Sequence, residues 1–164
     1  MSSGFWPFFF LLLWPLPWLF FISPGVQPIN LVDPTQNYDN VEAVLTGWGY
    51  ISYSGPHIPP IDPDILQKVS LRTMSNEVCQ NIVRRIPQHK TTVIKDYQIC
   101  TEELPKAACH GDSGGPLVVR NQYGKYSLLG LVSFGTTPGK CARSPDVYTR
   151  VSYFSEWIEK NKVP

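Results

Sequence analysis

The sequence predicts an all-β protein in which a six-stranded antiparallel β-barrel is followed by a C-terminal α-helix. Two observations support this fold class. Sixteen prolines and twelve glycines divide the 164 residues into short segments, and a hydrophobic content of 43% suffices for one core. Six of these segments have the composition of strands, and only the last segment of the chain has a helical period.

Residues 1–25 are interpreted as a hydrophobic leader that precedes the globular domain of residues 26–164. The leader has no charged side chain, and its run from Phe5 to Ile22 is long enough to span a membrane. Prolines inside this run disfavour a regular helix. Small residues at Ser23 and Gly25 suit cleavage, so we expect a secretory signal peptide although a basic n-region is missing. A retained anchor and a wrongly assigned first exon are the alternatives.

Six segments with apolar, β-branched and aromatic residues are the predicted strands. Turn-rich stretches containing proline and glycine separate them. The clearest alternation is in the fifth, where both faces are largely apolar, so we expect that strand to be buried on both sides. The six predicted strands are Val41–Trp48, Ile65–Arg72, Tyr97–Cys100, Pro116–Asn121, Tyr126–Gly135 and Asp146–Val151.

The predicted helix has the sequence SYFSEWIEKNK, near the end of the chain. Ser152 is positioned to cap its first turn. Tyr153, Phe154, Trp157 and Ile158 recur at helical spacing and are expected to share one face.

Charge and cysteine content limit the possible partners and cofactors. The formal net charge is +1 and the basic residues are scattered, so neither nucleic acid nor an anionic membrane surface is an expected partner. Beyond the leader, a membrane association is not expected. In a secreted chain the four cysteines would form two disulfides, with three pairings open. No C-x-x-C pair with a nearby histidine exists, so no metal site or cofactor is predicted.

The stretch CHGDSGGPLVV contains the candidate nucleophile, Ser113. The surrounding G-x-S-x-G pattern also occurs in the nucleophile elbow of α/β-hydrolases. That elbow requires a helix directly after the serine and a histidine further along the chain. Here an apolar strand follows, and all three histidines precede Ser113. The hydrolase elbow is therefore excluded.

From about Val26 to Pro164 the chain resembles the second barrel of the chymotrypsin/trypsin-like serine proteases. The resemblance implies the C-terminal half of a double barrel and a serine endopeptidase that acts on proteins or peptides and is a target of protease inhibitors. Five motifs in the family's order carry it: GWG at 47–49, LQKV at 66–69, CHGDSGGPL at 109–117, SFG at 133–135 and PDVYTRVSYFSEWI at 145–158.

The resemblance assigns roles to individual residues. It makes Ser113 the nucleophile and the backbone N–H groups of Gly111 and Ser113 the oxyanion hole. It also implies the disulfide pairs Cys79–Cys100 and Cys109–Cys141. The second pair would join the Ser113 loop to the loop after SFG, so that it shapes the specificity pocket as well as stabilising the fold.

The resemblance further places a specificity pocket among Ala107, Ser133, Phe134, Gly135 and Asp146. Alanine at the pocket floor supplies no charge, while Asp146 stands where many relatives have glycine. A buried carboxylate would favour a basic side chain, which predicts a basic or mixed preference. The alternative is that Asp146 turns outward and leaves an apolar pocket.

The family's Ala-His-Cys context and its aspartate strand are absent from this sequence. His57, His89 and His110 are interpreted as exposed loop histidines rather than as substitute bases. No Ile-Val-Gly-Gly-like activation site is present, so Asp112 is expected to keep a zymogen-like arrangement.

From these absences we expect the chain by itself to be inactive. One hypothesis is that the natural product is a secreted endopeptidase and that this sequence is a truncated or mis-started version of it. The alternative is a short secreted homologue that binds a substrate or inhibitor without cutting it. A non-functional transcript product is the third possibility.

Overall fold

The computed structural model describes residues 25–51, 59–102, 106–136, 141 and 144–162. The leader (apart from Gly25) and His57 lie outside the described residues. The described elements are seven strands and two α-helices, with 3-10 turns at Pro87–His89 and Val151–Phe154. In chain order they are β1 (Asn30–Leu31), β2 (Glu42–Gly47), β3 (Gln67–Met74), α1 (Asn76–Val83), β4 (Gln98–Thr101), β5 (Pro116–Arg120), β6 (Tyr126–Gly135), β7 (Asp146–Arg150) and α2 (Ser155–Asn161).

Six of the strands close into an antiparallel barrel, which confirms the predicted fold class. The neighbours run in the order β6-β5-β2-β3-β4-β7, and β7 pairs back with β6. All six predicted strands are present, with ends that differ from the predicted ends by at most two residues. The short strand β1 was not predicted, and it joins β6 in parallel through Asn30 and Leu31. Closure satisfies the backbone groups that a sheet edge would leave unpaired.

The barrel interior is filled by alternate side chains of the strands. In β2, Ala43 and Leu45 are almost fully buried, whereas Glu42 points outward. Ala108, in the loop that leads to Ser113, is part of this core and anchors the loop to the barrel. The buried members of the interior cluster are Val32, Ala43, Leu45, Leu71, Ile99, Ala108, Leu117, Val119, Leu129 and Tyr148.

Strand β6 is buried on both faces only at Leu129 and Gly130, so the prediction of burial on both sides is wrong for most of the strand. Ser127, Leu129 and Gly130 are buried, but Leu131 and the alternate residues after it are exposed. The reason is that the pairing with β5 ends at Leu131, opposite Pro116. The last residues of β6 therefore extend past β5 and keep only β7 as a strand neighbour.

Helix α1 was not predicted, although its sequence contains a helix start. Ser75 is the N-cap, and its side chain accepts a hydrogen bond from the N–H of Val78. Cys79 and Val83 face inward. A second apolar cluster packs there, made of Met74, Cys79, Val83, Ile94, Cys100 and Val147, with Ile82 and Phe134 against it.

The cap predicted at Ser152 is wrong. Residues Val151–Phe154 form a 3-10 turn, and α2 begins only at Ser155, with no side-chain hydrogen bond at its N-cap. Ser155 Oγ donates instead to the carbonyl of Ser152 at 2.7 Å. A 3-10 turn has fewer residues per turn than an α-helix, so the aromatic residues on either side of Ser155 do not follow one continuous helical repeat. Trp157 is 65% exposed.

Candidate active site

Ser113 stands on a tight turn directly before β5. The turn is closed by two backbone hydrogen bonds, from Asp112 N to Cys109 O and from Gly115 N to Asp112 O. Gly114 N donates to the carbonyl of Val132 on β6, and Val132 N donates to the carbonyl of Gly115. The serine itself is exposed. The backbone hydrogen bonds therefore hold residue 113 at the surface.

Gly111 allows this turn because its φ angle is +99°. A side chain in that left-handed region would be strained, and a Cβ there would lie 3.1 Å from Gly49 Cα. The N–H groups of Gly111 and Ser113 donate to no acceptor among the described residues. The assignment of these two N–H groups to an oxyanion hole stays a prediction.

The carboxylate of Asp112 is buried and held by two backbone donors. Its Oδ1 accepts from Gly49 N at 2.8 Å, and its Oδ2 accepts from Cys109 N at 2.9 Å. A Cβ on Gly47 or Gly49 would overlap this carboxylate. The GWG motif therefore makes room for Asp112, a contact 63 residues apart that no local pattern signals. Neither ion pair of the described residues includes Asp112.

Asp146, at the start of β7, points into the protein. Its side chain is 4% exposed, and its Oδ2 accepts from Ala108 N at 2.8 Å. Burial raises the pKa of Asp146 to about 6, and the charge of Asp112 raises it too, although the bond from Ala108 opposes both. The outward orientation considered from the sequence is therefore excluded.

The predicted pocket residues lie around the same strand ends. Gly135 pairs with Asp146 across β6 and β7, and a Cβ on Gly135 would lie 3.4 Å from Asp146 Oδ1. Ser133 is exposed, while Ala107 and Phe134 are half-buried. The role of these residues in a pocket stays a prediction.

A cavity of about 310 Å³ is lined by residues of β2, β3 and the Ser113 loop. It adjoins the carboxylate of Asp112 and shares only Ala107 with the predicted pocket residues. Two lysines, Lys68 and Lys106, are also in its wall. Most of the cavity wall therefore consists of residues that the sequence did not assign to the specificity pocket.

The histidines that the structure describes are His89 and His110. His110 is exposed, with its ring 6.1 Å from that of Tyr50. His89 is not the exposed loop residue that was predicted. His89 is half-buried, and its Nδ1 lies 3.1 Å from Thr92 Oγ1. Its ring stacks on that of Phe134.

Both disulfides implied by the resemblance are present. Cys79–Cys100 joins α1 to β4, and Cys109–Cys141 joins the Ser113 loop to the segment after β6. No group of three potential metal ligands occurs in residues that the structure describes. In the same residues, no helix is long and apolar enough to cross a membrane.

Comparison with known proteins agrees with this geometry. A family model described as Trypsin matches residues 20–158. The chain is 35% identical over 138 residues to serine proteinase stubble of Drosophila melanogaster, covering 83% of this chain and 16% of that protein. It is 38% identical over 140 residues to transmembrane protease serine 11G of Rattus norvegicus, covering 84% and 31%. It is 37% identical over 140 residues to chymotrypsin-2 of Vespa crabro, covering 84% of this chain and 55% of that protein. The chain thus spans less than two thirds of each relative.

Proposed function

This chain belongs to the trypsin family of serine proteases, and we propose that it carries the nucleophile of a serine endopeptidase. The observation that supports this most directly is the turn at residues 111–115. It presents the exposed Ser113 hydroxyl beside two backbone N–H groups that have no acceptor within the described residues. That pairing of nucleophile and donors is what acyl transfer needs.

In the proposed reaction, Ser113 Oγ attacks the carbonyl carbon of a peptide bond while a general base removes the hydroxyl proton. The carbonyl oxygen gains negative charge and is stabilised by the N–H groups of Gly111 and Ser113. The base then returns the proton to the amine, the C–N bond breaks, and an ester on Ser113 remains for water to hydrolyse. The cysteine bridge at Cys109 and the bonds of Asp112 hold the turn in place during these steps.

We further propose that the chain by itself does not catalyse this reaction. The sequence lacks the family's Ala-His-Cys context, and His89 contacts Thr92 and Phe134. Loss of the catalytic serine or histidine lowers turnover by about a million-fold in a well-studied serine protease. The whole protease activity would then require a histidine and an aspartate from outside this chain.

A second candidate function follows from the same observation. A chain that holds an exposed serine turn without a base could bind a protein substrate or inhibitor without cutting it. Folded, disulfide-bonded surfaces of this kind are stable in an oxidising compartment, and both cysteine pairs here are joined. We propose a secreted location on the same ground, with residues 1–25 as the signal peptide.

For the specificity pocket we propose a preference for basic side chains through Asp146. Alanine at position 107 supplies no charge, whereas Asp146 places a carboxylate directly behind Gly135. A guanidinium or ammonium group would offset the cost of burying that carboxylate. Ser133 and Phe134 would line the approach.

The test of the proposed nucleophile is labelling with a fluorophosphonate probe. The chain alone should remain unlabelled, because Ser113 has no base to raise its nucleophilicity. When a protein containing the family's histidine and aspartate together with this barrel is labelled, the signal should disappear in Ser113→Ala.

Ser70→Ala is the matched control, since Ser70 is an exposed serine on β3 away from the turn. It should leave the labelling unchanged. Stoichiometric labelling of the chain alone that is lost in Ser113→Ala would contradict the proposed inactivity. Labelling of the larger protein that persists in Ser113→Ala would contradict the assigned nucleophile.

A further inference from the structure

We propose that the loop of residues 84–95, called the basic loop from here on, is a docking surface for an acidic segment of a polypeptide. The loop follows α1 and contains four lysine and arginine side chains but no acidic one. This inference rests on the proposed protease function only for the source of the segment, which is a protein substrate. Such a substrate would carry acidic residues at some distance from the bond that is cut.

The first support is the charge of the basic loop. Its exposed cations are Arg84, Arg85, Lys90 and Lys95. The two ion pairs of the described residues both lie at the C-terminal helix, so neither one neutralises a cation of this loop. The net charge of the whole chain is only +1, so the excess of positive charge is local. A local patch of one sign attracts a ligand of the opposite sign.

The second support is the fixed backbone of the basic loop. The side-chain amide of Gln80 on α1 donates through Nε2 to the carbonyl of Thr92 and accepts through Oε1 from Ile94 N, both at 2.8 Å. Asn76 Nδ2 donates to the carbonyl of Lys95 at 2.9 Å. Ile94 itself is buried in the second apolar cluster. A ligand therefore meets cations on an ordered backbone, which lowers the entropy cost of binding.

An apolar side chain among the cations indicates the class of ligand. Val93 lies between Lys90 and Lys95 in the loop and is 50% exposed. A polypeptide can place an acidic and an apolar side chain on such a mixed surface. A nucleic acid or a sulfated polysaccharide has no apolar side chain for Val93. Four cations on a chain of net charge +1 also fall short of the basic footprint typical of proteins that bind such polymers.

The basic loop also lies beside the candidate active site. The ring of His89 stacks on that of Phe134, with the ring centroids 6.5 Å apart. Phe134 follows Val132 by two residues on β6, and the backbone of Val132 is hydrogen-bonded to the turn that carries Ser113. An extended peptide rises about 3.3 Å per residue, so a few residues suffice to reach from this turn to the basic loop.

The experiment measures the binding of a fluorescein-labelled peptide of glutamate and leucine to the full chain by fluorescence anisotropy. A second peptide, in which glutamine replaces every glutamate, is the neutral control. The acidic peptide should bind about tenfold more tightly than the neutral one, because several exposed charge pairs, each weak alone, act together. Raising the salt concentration from about 50 mM to about 300 mM should reduce this difference, since salt screens exposed charges.

Two double variants locate the binding surface. Arg84→Gln with Arg85→Gln removes two exposed cations of the basic loop, and Lys160→Gln with Lys162→Gln removes two exposed cations at the C-terminal helix. Both variants change the net charge equally. The first should weaken binding of the acidic peptide by about fivefold, and the second by less than about twofold. Ser113→Ala should bind like the original chain, so that failure of the nucleophile assignment is distinguishable from failure of this one.

A sulfated oligosaccharide with the same total charge as the acidic peptide tests the class of ligand. At about 150 mM salt it should bind more weakly than the peptide, because it has no apolar side chain to contact Val93. Val93→Ser should weaken binding of the peptide by about threefold and leave binding of the oligosaccharide unchanged.

Three results would overturn the proposal. One is equal affinity of the chain for the acidic and the neutral peptide at low salt. Another is an equal loss of binding in the two double variants, which would show that net charge alone attracts the peptide. The third is tighter binding of the sulfated oligosaccharide than of the peptide at about 150 mM salt, which would assign the basic loop to a polysaccharide.

Discussion

At the scale of single residues, space around Asp112 decides whether the Ser113 loop can form. The loop needs a buried carboxylate as an acceptor for Gly49 and Cys109. That carboxylate fits only because two positions of the GWG motif have no side chain. Gly47 and Gly49 therefore support the Ser113 loop by leaving space for the carboxylate of Asp112.

Gly49→Ala should destabilise the protein by about 1–3 kcal/mol, because the added methyl group would overlap the carboxylate of Asp112. Urea denaturation followed by tryptophan fluorescence measures this difference. Ser70→Ala is the control, since Ser70 is exposed on β3 and this change adds no atom near Asp112. Equal stability of the two variants would show that the loop can shift without cost.

At the scale of elements, helix starts depend on which serine reaches a free N–H. Ser75 has extended backbone angles and its hydroxyl accepts from Val78 N at 3.3 Å, so it caps α1. Ser152 lies inside a 3-10 turn, where its carbonyl rather than its side chain is used. Similar sequence signals thus had different outcomes at the two helices.

Ser75→Ala should lower the free energy of unfolding by about 1 kcal/mol, the usual loss for a missing N-cap. Ser152→Ala should change it by less than about 0.5 kcal/mol, because no capping bond is removed. Thermal and urea unfolding of the two variants provide the comparison. A larger effect at Ser152 than at Ser75 would restore the cap first predicted for the C-terminal helix.

At the scale of the whole molecule, the barrel and its two disulfides form one connected support for the site. Cys79–Cys100 fastens α1 and the second apolar cluster to the barrel wall. Cys109–Cys141 fastens the Ser113 loop to the segment after β6. The nucleophile therefore depends on covalent links as well as on strand pairing.

Peptide mapping without reduction should recover only the pairs Cys79–Cys100 and Cys109–Cys141. Replacing both cysteines of either pair by serine should cost about 3–4 kcal/mol, since each bridge restrains the unfolded chain over a loop of moderate length. Urea denaturation measures the loss. A peptide that links Cys79 to Cys109 would contradict the barrel as described.

Much of the barrel could be predicted from local sequence, because strand composition and turn residues act over a few positions. All six long strands were found in this way, and so was the serine turn. Helix α1 was missed because it comes almost directly after β3. Its eight residues make only about two turns, which is too few for a clear helical pattern. The second half of β6 was misjudged because its exposure depends on where β5 ends.

Local patterns in the chain suffice to predict the fold class and the candidate nucleophile, Ser113, because each pattern is continuous in sequence. The closed barrel was needed to show which way Asp146 faces on β7 and which glycines leave space for Asp112. The partners in those contacts, Ala108 and Gly49, are 38 and 63 residues away from the carboxylates they contact. Burial and charge at such distances arise only when the barrel closes, so no local pattern records them.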